Sequence, residues 1–253
     1  MNFFTSILHL VGSGAAAYLS ARNLCDPLTR PNTLAAFQLA ESGAVPFLET
    51  LSQRAAAEGD TWMAEKLQRH ASDERRHGQI FARALARWGK QVVDLKELRR
   101  QNEQKPKESR RSPFFAAYFK DYEAEQLKAE NIDWTVFMAS TYILELDACH
   151  DFTRMANVLS EDDPNQAALK KGMLSIANDE RGHAAYLYEA MQRRFSQAEV
   201  QRMVSEWRTR KVNALLAMAG NFLQGGQQTS LVRDGAPVAE AYEGDVLLEG
   251  SAA

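Results

Sequence analysis

Between about residues 33 and 220, apolar residues return every three or four positions while glycine and proline are scarce, the period of helices that bury one face. The pattern predicts four long helices, at about 33–57, 61–89, 133–159 and 166–195. Two turns punctuate them, Glu58-Gly59-Asp60 and Ser160-Glu161-Asp162-Asp163-Pro164-Asn165, in which Gly, Asp and Pro supply turn geometry and N-caps. Short turns make consecutive helices antiparallel neighbours, so the first pairs with the second and the third with the fourth. A polar, basic stretch at 98–113 is expected to be the long crossover between the two hairpins. Residues 114–130 read as an extra helix, and Ser196-Gln197-Ala198-Glu199 is a capping box that starts another. The expected fold is all-α: one helical domain over 1–225 with flanking N- and C-terminal helices, and an irregular tail over 226–253.

Composition narrows the class without naming a partner. A 253-residue chain with 45% hydrophobic residues has ample material for a core. Its net charge of -3, from 30 basic and 33 acidic residues, gives no overall pull toward nucleic acid or anionic membrane. Two cysteines, Cys25 and Cys149, make neither a disulfide framework nor a paired-thiolate metal site, which fits a reducing cytoplasm. Residues 1–21 carry no Asp, Glu, Lys or Arg. No basic stretch precedes their apolar part, however, and Ser, Gly, Asn, Thr and His dilute it, so the expectation is a helix packed on the bundle rather than a signal or stable membrane insertion.

The chemistry lies in a repeated motif. Asp73-Glu74-Arg75-Arg76-His77 and Asp179-Glu180-Arg181-Gly182-His183 each read Asp-Glu-x-x-His. On a helix, Glu and His three residues apart share a face and offer a carboxylate and an imidazole to one metal ion. Only five histidines exist in the chain (His9, His70, His77, His150, His183), and two of them fall at the same place in the repeat. A two-ion site needs further carboxylates. On the first helix Glu41 lies on the apolar stripe of Phe37, Ala44, Leu48 and Leu51, whereas Glu49 shares its side with Ser42, Ser52 and Gln53. Glu41 also stands 16 residues before the turn and Glu74 13 after it, a mismatch of about 4.5 Å at helical rise, against five residues for Glu49. Pro46 predicts a kink close by. On the third helix Glu145 sits among Met138, Tyr142, Cys149 and Phe152, with Asp147, His150 and Asp151 as alternatives more to the side.

The inferred ligands are therefore Glu41, Glu74, His77, Glu145, Glu180 and His183. They repeat internally: 41 to 145 is 104 residues, and both 74 to 180 and 77 to 183 are 106. Four buried carboxylates without cations would each carry a desolvation cost of several kcal/mol, and two divalent ions would neutralise them. Mixed oxygen and imidazole ligation suits iron or manganese.

In this order of ligands the chain resembles the ferritin-like di-iron carboxylate superfamily, over roughly residues 33–195. That bundle takes one Glu from each of two helices and Glu-x-x-His from the other two. The form Asp-Glu-x-Arg-His, complete at Asp73–His77, is similar to the motif of its oxygen-activating hydroxylases and desaturases; the second copy has Gly182 in the Arg position. The resemblance implies a ferritin-like four-helix bundle of two antiparallel hairpins, two Fe ions with Mn as an alternative at either position, O2 as co-substrate and a reductase as electron donor. A homodimer is among the assemblies it allows. By the same resemblance Asp73 and Asp179 would orient ligand histidines on neighbouring helices, and Arg76 would hold such an Asp.

Phe37, Phe81, Met138, Tyr142 and Phe152 are expected to line a pocket beside the ions. Tyr142, three residues before Glu145, is a candidate hydrogen-bond or electron donor, while Cys149 reads as a core residue. Phe81 stands one turn after His77, where the resemblance would place the radical tyrosine of a ribonucleotide reductase subunit, and so disfavours that role. The leading expectation is a di-iron, O2-dependent oxidase or hydroxylase (monooxygenase-type) acting on an organic or lipid-like substrate. Others are ferroxidase, iron-storage or peroxide-detoxifying activity, and a helical binding protein with a structural metal. A tRNA-modifying hydroxylase is a further reading, drawing on Arg99, Arg100, Lys105, Lys107, Arg110 and Arg111.

Overall fold

Each long helix begins where the sequence supplies a cap or a proline. The computed structural model describes residues 18–93, 112–223 and 230–235. The expectations for residues 1–17, for the basic stretch from Arg99 to Arg111 and for most of the tail lie outside the described residues. Helix α1 (Arg30–Ala57) has proline in its first turn and runs on through Pro46. Gly59, at φ 84, makes the left-handed turn that follows. Helix α2 (Thr61–Arg87) starts on Asp60, whose side chain accepts from the Met63 amide at 2.9 Å. Helix α3 (Pro113–Tyr118) is short, α4 (Trp134–Asn157) is capped by Asp133, and α5 (Pro164–Gln192) is capped by Asp163 with proline behind it. Helix α6 (Gln197–Leu223) follows the expected capping box, in which the Ser196 amide donates to Glu199 Oε2 at 2.8 Å.

The four long helices pack as two hairpins, α1 with α2 and α4 with α5, joined face to face along α2 and α5. Contacts fix the directions. Ser52 reaches the Ala64 carbonyl and Glu49 reaches Arg75, so α1 and α2 are antiparallel; His70 meets Tyr186 and His77 meets Asp179, so α2 and α5 are antiparallel too. Helices α2 and α4 therefore point the same way, and the connection between them must travel the length of the bundle. The molecule is predominantly helical, as expected.

Two departures have local causes. The helix expected over 114–130 is only α3 followed by a 3₁₀ turn at Glu125–Leu127, because Asp121 at φ 78 interrupts it. The tail expected to be irregular holds a strand, β2 (Val232–Asp234), antiparallel to β1 (Lys90–Val92). It is anchored by Leu231 and Val232, which like Trp88 and Val92 pack against the buried cluster around Leu34, Phe81 and Leu85, and by the Leu231 amide donating to Asn32 at 2.7 Å. The helical segment at 18–25 does pack on the bundle, burying Ala21 and Leu24. Among the described residues no helix is long and apolar enough to cross a membrane.

The apolar core is divided. One cluster, around Leu51, Leu67, Phe137, Ile143 and Leu187, fills the end near the 58–60 turn, where α3 and α6 cover it through Tyr118 and Trp207. A buried ion pair between Lys211 and Asp147 ties α6 to α4. The other cluster, around Leu34, Phe81, Leu85, Phe152 and Met173, fills the opposite end. Between them a band of buried carboxylates and imidazoles crosses the bundle, an arrangement that needs a compensating partner.

Candidate metal centre

Helical spacing puts the repeated motifs into this band. All six expected ligands meet there, and they fall into two overlapping sets. Glu41, Glu74, His77 and Glu180 form one; His70, Glu74, Glu145 and His183 form the other. Within each set the ligand atoms lie within 4.8 Å of one another. Glu74 belongs to both. Glu180 also faces both, with Oε1 3.3 Å from His77 Nδ1 and Oε2 3.1 Å from His183 Nδ1. The rejected alternatives are engaged elsewhere: Glu49 with Arg75 at 2.6 Å, Asp147 with Lys211, Asp151 with Arg154 at 3.0 Å, while His150 is exposed.

The aspartates of the motif act across the bundle. His77 Nε2 is 3.2 Å from Asp179, and His183 Nε2 is 3.3 Å from Asp73, so each copy's Asp holds the other copy's imidazole. Arg76 bonds both, with Asp73 at 3.4 Å and a shorter contact to Asp179. One arginine thus serves both copies, and Gly182 leaves no ion pair missing. With Nε2–H held by a carboxylate, each ring presents Nδ1 to the centre. His77 Nδ1 is buried with no hydrogen-bond partner, although Glu41, Glu74 and Glu180 surround it at 3.5, 3.8 and 3.3 Å. A buried ring nitrogen that faces three carboxylates and bonds none of them is a place a cation would fill.

Charge distribution makes the same case. Burial pushes the Glu41 carboxyl up to about 8, and burial with neighbouring carboxylates pushes Glu74 and Glu145 up to about 7. Burial also works against charge on Glu180, but hydrogen bonds from Glu145 and His183 and the nearby His77 ring outweigh it and bring the group to about 2. Burial disfavours imidazolium in His77 and His183 as well; the facing Glu180 and Glu41 carboxylates nevertheless raise His77 to about 11, and hydrogen bonds to Asp73 and Glu180 raise His183 to about 10. Without metal, protons stand where cations would. His70 goes the other way, pushed down by burial and by the neighbouring His183 charge.

His70 is the candidate ligand that the spacing argument passes over. Its Nε2 lies 3.1 Å from Glu74 and 3.5 Å from Glu145, its ring stacks on His183 at 3.7 Å, and its Nδ1 is 2.8 Å from the Tyr186 hydroxyl. The signal was available: His70, Glu74 and His77 stand at i, i+4 and i+7 on one helical face. It went unused because nothing in the second copy matches it. At the 106-residue offset, His70 corresponds to Ile176 and Tyr186 to Ile80. One set is therefore richer in nitrogen than the other. His70→Ala is expected to lower metal content from about two ions per chain to about one, with the Glu41 set still filled; metal analysis checks this, and unchanged content would remove His70 from the ligands.

The expected pocket residues are split between the two ends. Phe37, Phe81 and Phe152 pack together at 5.3–5.9 Å on one side of the band. Met138 is fully buried in the opposite cluster, and Tyr142 packs on Tyr188 at 5.4 Å. The hydroxyl that meets the ligand set is that of Tyr186, not Tyr142. Cys149 is buried, as a core residue. Comparison of the chain with protein-family models, with curated proteins and with solved structures finds no match.

Proposed function

We propose that the protein is a ferritin-like, non-haem di-iron oxidoreductase that uses O2 to oxidise or hydroxylate an organic substrate. The observation that carries this reading is the convergence of four carboxylates and three imidazoles from four helices into two overlapping ligand sets, with His77 and His183 both backed by an aspartate. Bound redox-active ions would supply electrons to O2. Mixed carboxylate and imidazole ligation favours iron, with manganese as the alternative.

The protein's own part is positioning and exclusion of water. Asp73 and Asp179 fix the planes of His183 and His77, and Arg76 ties both aspartates in place. The Tyr186 hydroxyl pairs with His70 Nδ1 at 2.8 Å and holds the ring so that Nε2 faces Glu74 and Glu145. The Phe37–Phe81–Phe152 cluster closes one side of the centre with apolar rings. Such a setting suits an apolar, lipid-like substrate better than a bulky polar one.

Anaerobic loading with Fe(II) followed by mixing with air tests the reading. Oxygen uptake that continues under multiple turnovers with a reductant, and that couples to oxidation of an added apolar substrate, is the expected result. A single round of uptake followed by accumulation of many irons per chain in a large assembly would assign the protein to iron storage instead.

A further inference from the structure

We propose that the α2–α5 face is a docking surface for an acidic, one-electron-donating protein; this rests on the di-iron reading above. Positions 66, 69, 73, 76, 80, 83 and 87 of α2 advance by three or four residues and so share one edge. That edge faces α5: Asp73 reaches His183, Arg76 reaches Ser175 and Asp179, and Ile80 lies so close to Gly172 that a Cβ there would sit 2.5 Å from it. Along this line stand Lys66, Arg69, Arg76, Arg83 and Arg87. Arg69 and Arg87 are exposed and Lys66 and Arg83 partly so. Arg69, Arg83 and Arg87 have no ion-pair partner among the described residues.

The repeat shows that this charge is not a by-product of the metal motif. At the 106-residue offset, Lys66, Arg69, Arg76 and Arg83 correspond to Gly172, Ser175, Gly182 and Glu189. Apart from His70, the candidate ligands and the aspartates are kept in both copies, while of the cations only Arg87 has a basic counterpart, Arg193. Small residues on α5 leave the arginines of α2 uncovered. A protein whose net charge is -3 thus carries on this face five cations, Lys66, Arg69, Arg76, Arg83 and Arg87, against the two carboxylates that Arg76 binds, Asp73 and Asp179, an excess of the kind that steers an acidic partner.

The position of the stripe selects what passes through it. His77 is fully buried and His183 is 4% exposed, so this face offers no opening for a substrate molecule. It does offer a short bonded route: Arg76 at the surface, Asp179 in contact with it, and His77 3.2 Å further on, with Asp73 and His183 as the parallel branch. An electron needs no opening. Each encounter would oxidise the donor by one electron and reduce one of the two ions by one, with no atom transferred. A nucleic acid would also be drawn by the charge, but a base held here could not reach the centre.

The test uses the iron-loaded full chain, with an acidic [2Fe–2S] ferredoxin and an acidic flavodoxin as probes. Titration of each probe is expected to show binding at low ionic strength that weakens steeply as salt is raised. The double substitution Arg69→Glu, Arg83→Glu is expected to weaken it by about tenfold or more, against less than about twofold for Arg202→Glu on α6. Reduction of the bound metal by dithionite should be the same in all three proteins; its failure in all of them would count against the di-iron reading and leave the binding result to be judged separately. Equal affinity of the wild type and the double variant, or no binding of either probe at low salt, overturns the proposal. So does binding of tRNA to this face with neither acidic protein bound.

Discussion

Glu74→Ala is expected to abolish metal binding almost completely, taking the content from about two ions per chain to well below one. Glu74 is the one residue common to both ligand sets, so its loss leaves each set one carboxylate short and removes the group they share. It also leaves His77, His70 and His183 without one of the anions beside them, at 3.8, 3.1 and 3.7 Å. A ligand confined to one set, such as Glu41, should cost less. Metal analysis of the purified variants, with circular dichroism to show that the helices persist, gives the answer. Retention of two ions by folded Glu74→Ala would dismantle the proposed centre.

The second large effect is a pH-dependent gap in stability between metal-loaded and metal-free protein. Glu41 at about 8 and Glu74 and Glu145 at about 7 hold protons in the folded metal-free state that they release near their ordinary values, about 4.3, in the unfolded chain. Between these limits the folded state binds more protons, so its stability falls as pH rises. His77 and His183 act in the same direction: the stability they contribute is fully present below about 6.5, their unfolded value, and is lost as pH climbs toward their folded values of about 11 and 10. Glu180, at about 2, contributes above its unfolded value and loses that only in strong acid. Metal displaces these protons and therefore binds more tightly as pH rises. The difference in Tm between loaded and chelated protein should widen by on the order of 10 °C from pH 6 to pH 8. Calorimetry at the two pH values measures it, and a gap that narrows would contradict the charge assignment.

Most of this architecture was legible because its signals are periodic. The four long helices lie where the apolar repeat and the turns at 58–60 and 160–165 place them, within a few residues. Glu41 was separable from Glu49, and Glu145 from Asp147, by helical face and by height above a turn, both of which are fixed by local geometry. The cross-bundle exchange of Asp73 and Asp179 was visible only through a resemblance, since it depends on how α2 and α5 meet. His70 and Tyr186 were overlooked because attention to the repeat hides what is unique to one copy. The strand at Val232–Asp234 was not foreseeable from period: three residues are too few to show one, and its partner Lys90–Val92 lies 142 residues earlier in the chain.

The difference between the two halves reaches beyond binding. Two identical hairpins related by a twofold axis must carry the same residue at every pair of related positions, so an assembly of separate copies could build the shared carboxylates and the crossed aspartates but never one histidine opposite one isoleucine. Only after duplication and fusion into a single polypeptide can the halves diverge. His70 where the other copy has Ile176, and Arg69, Arg76 and Arg83 where it has Ser175, Gly182 and Glu189, are differences that two identical halves could not carry, and the first of them would give two bound ions separate chemical identities.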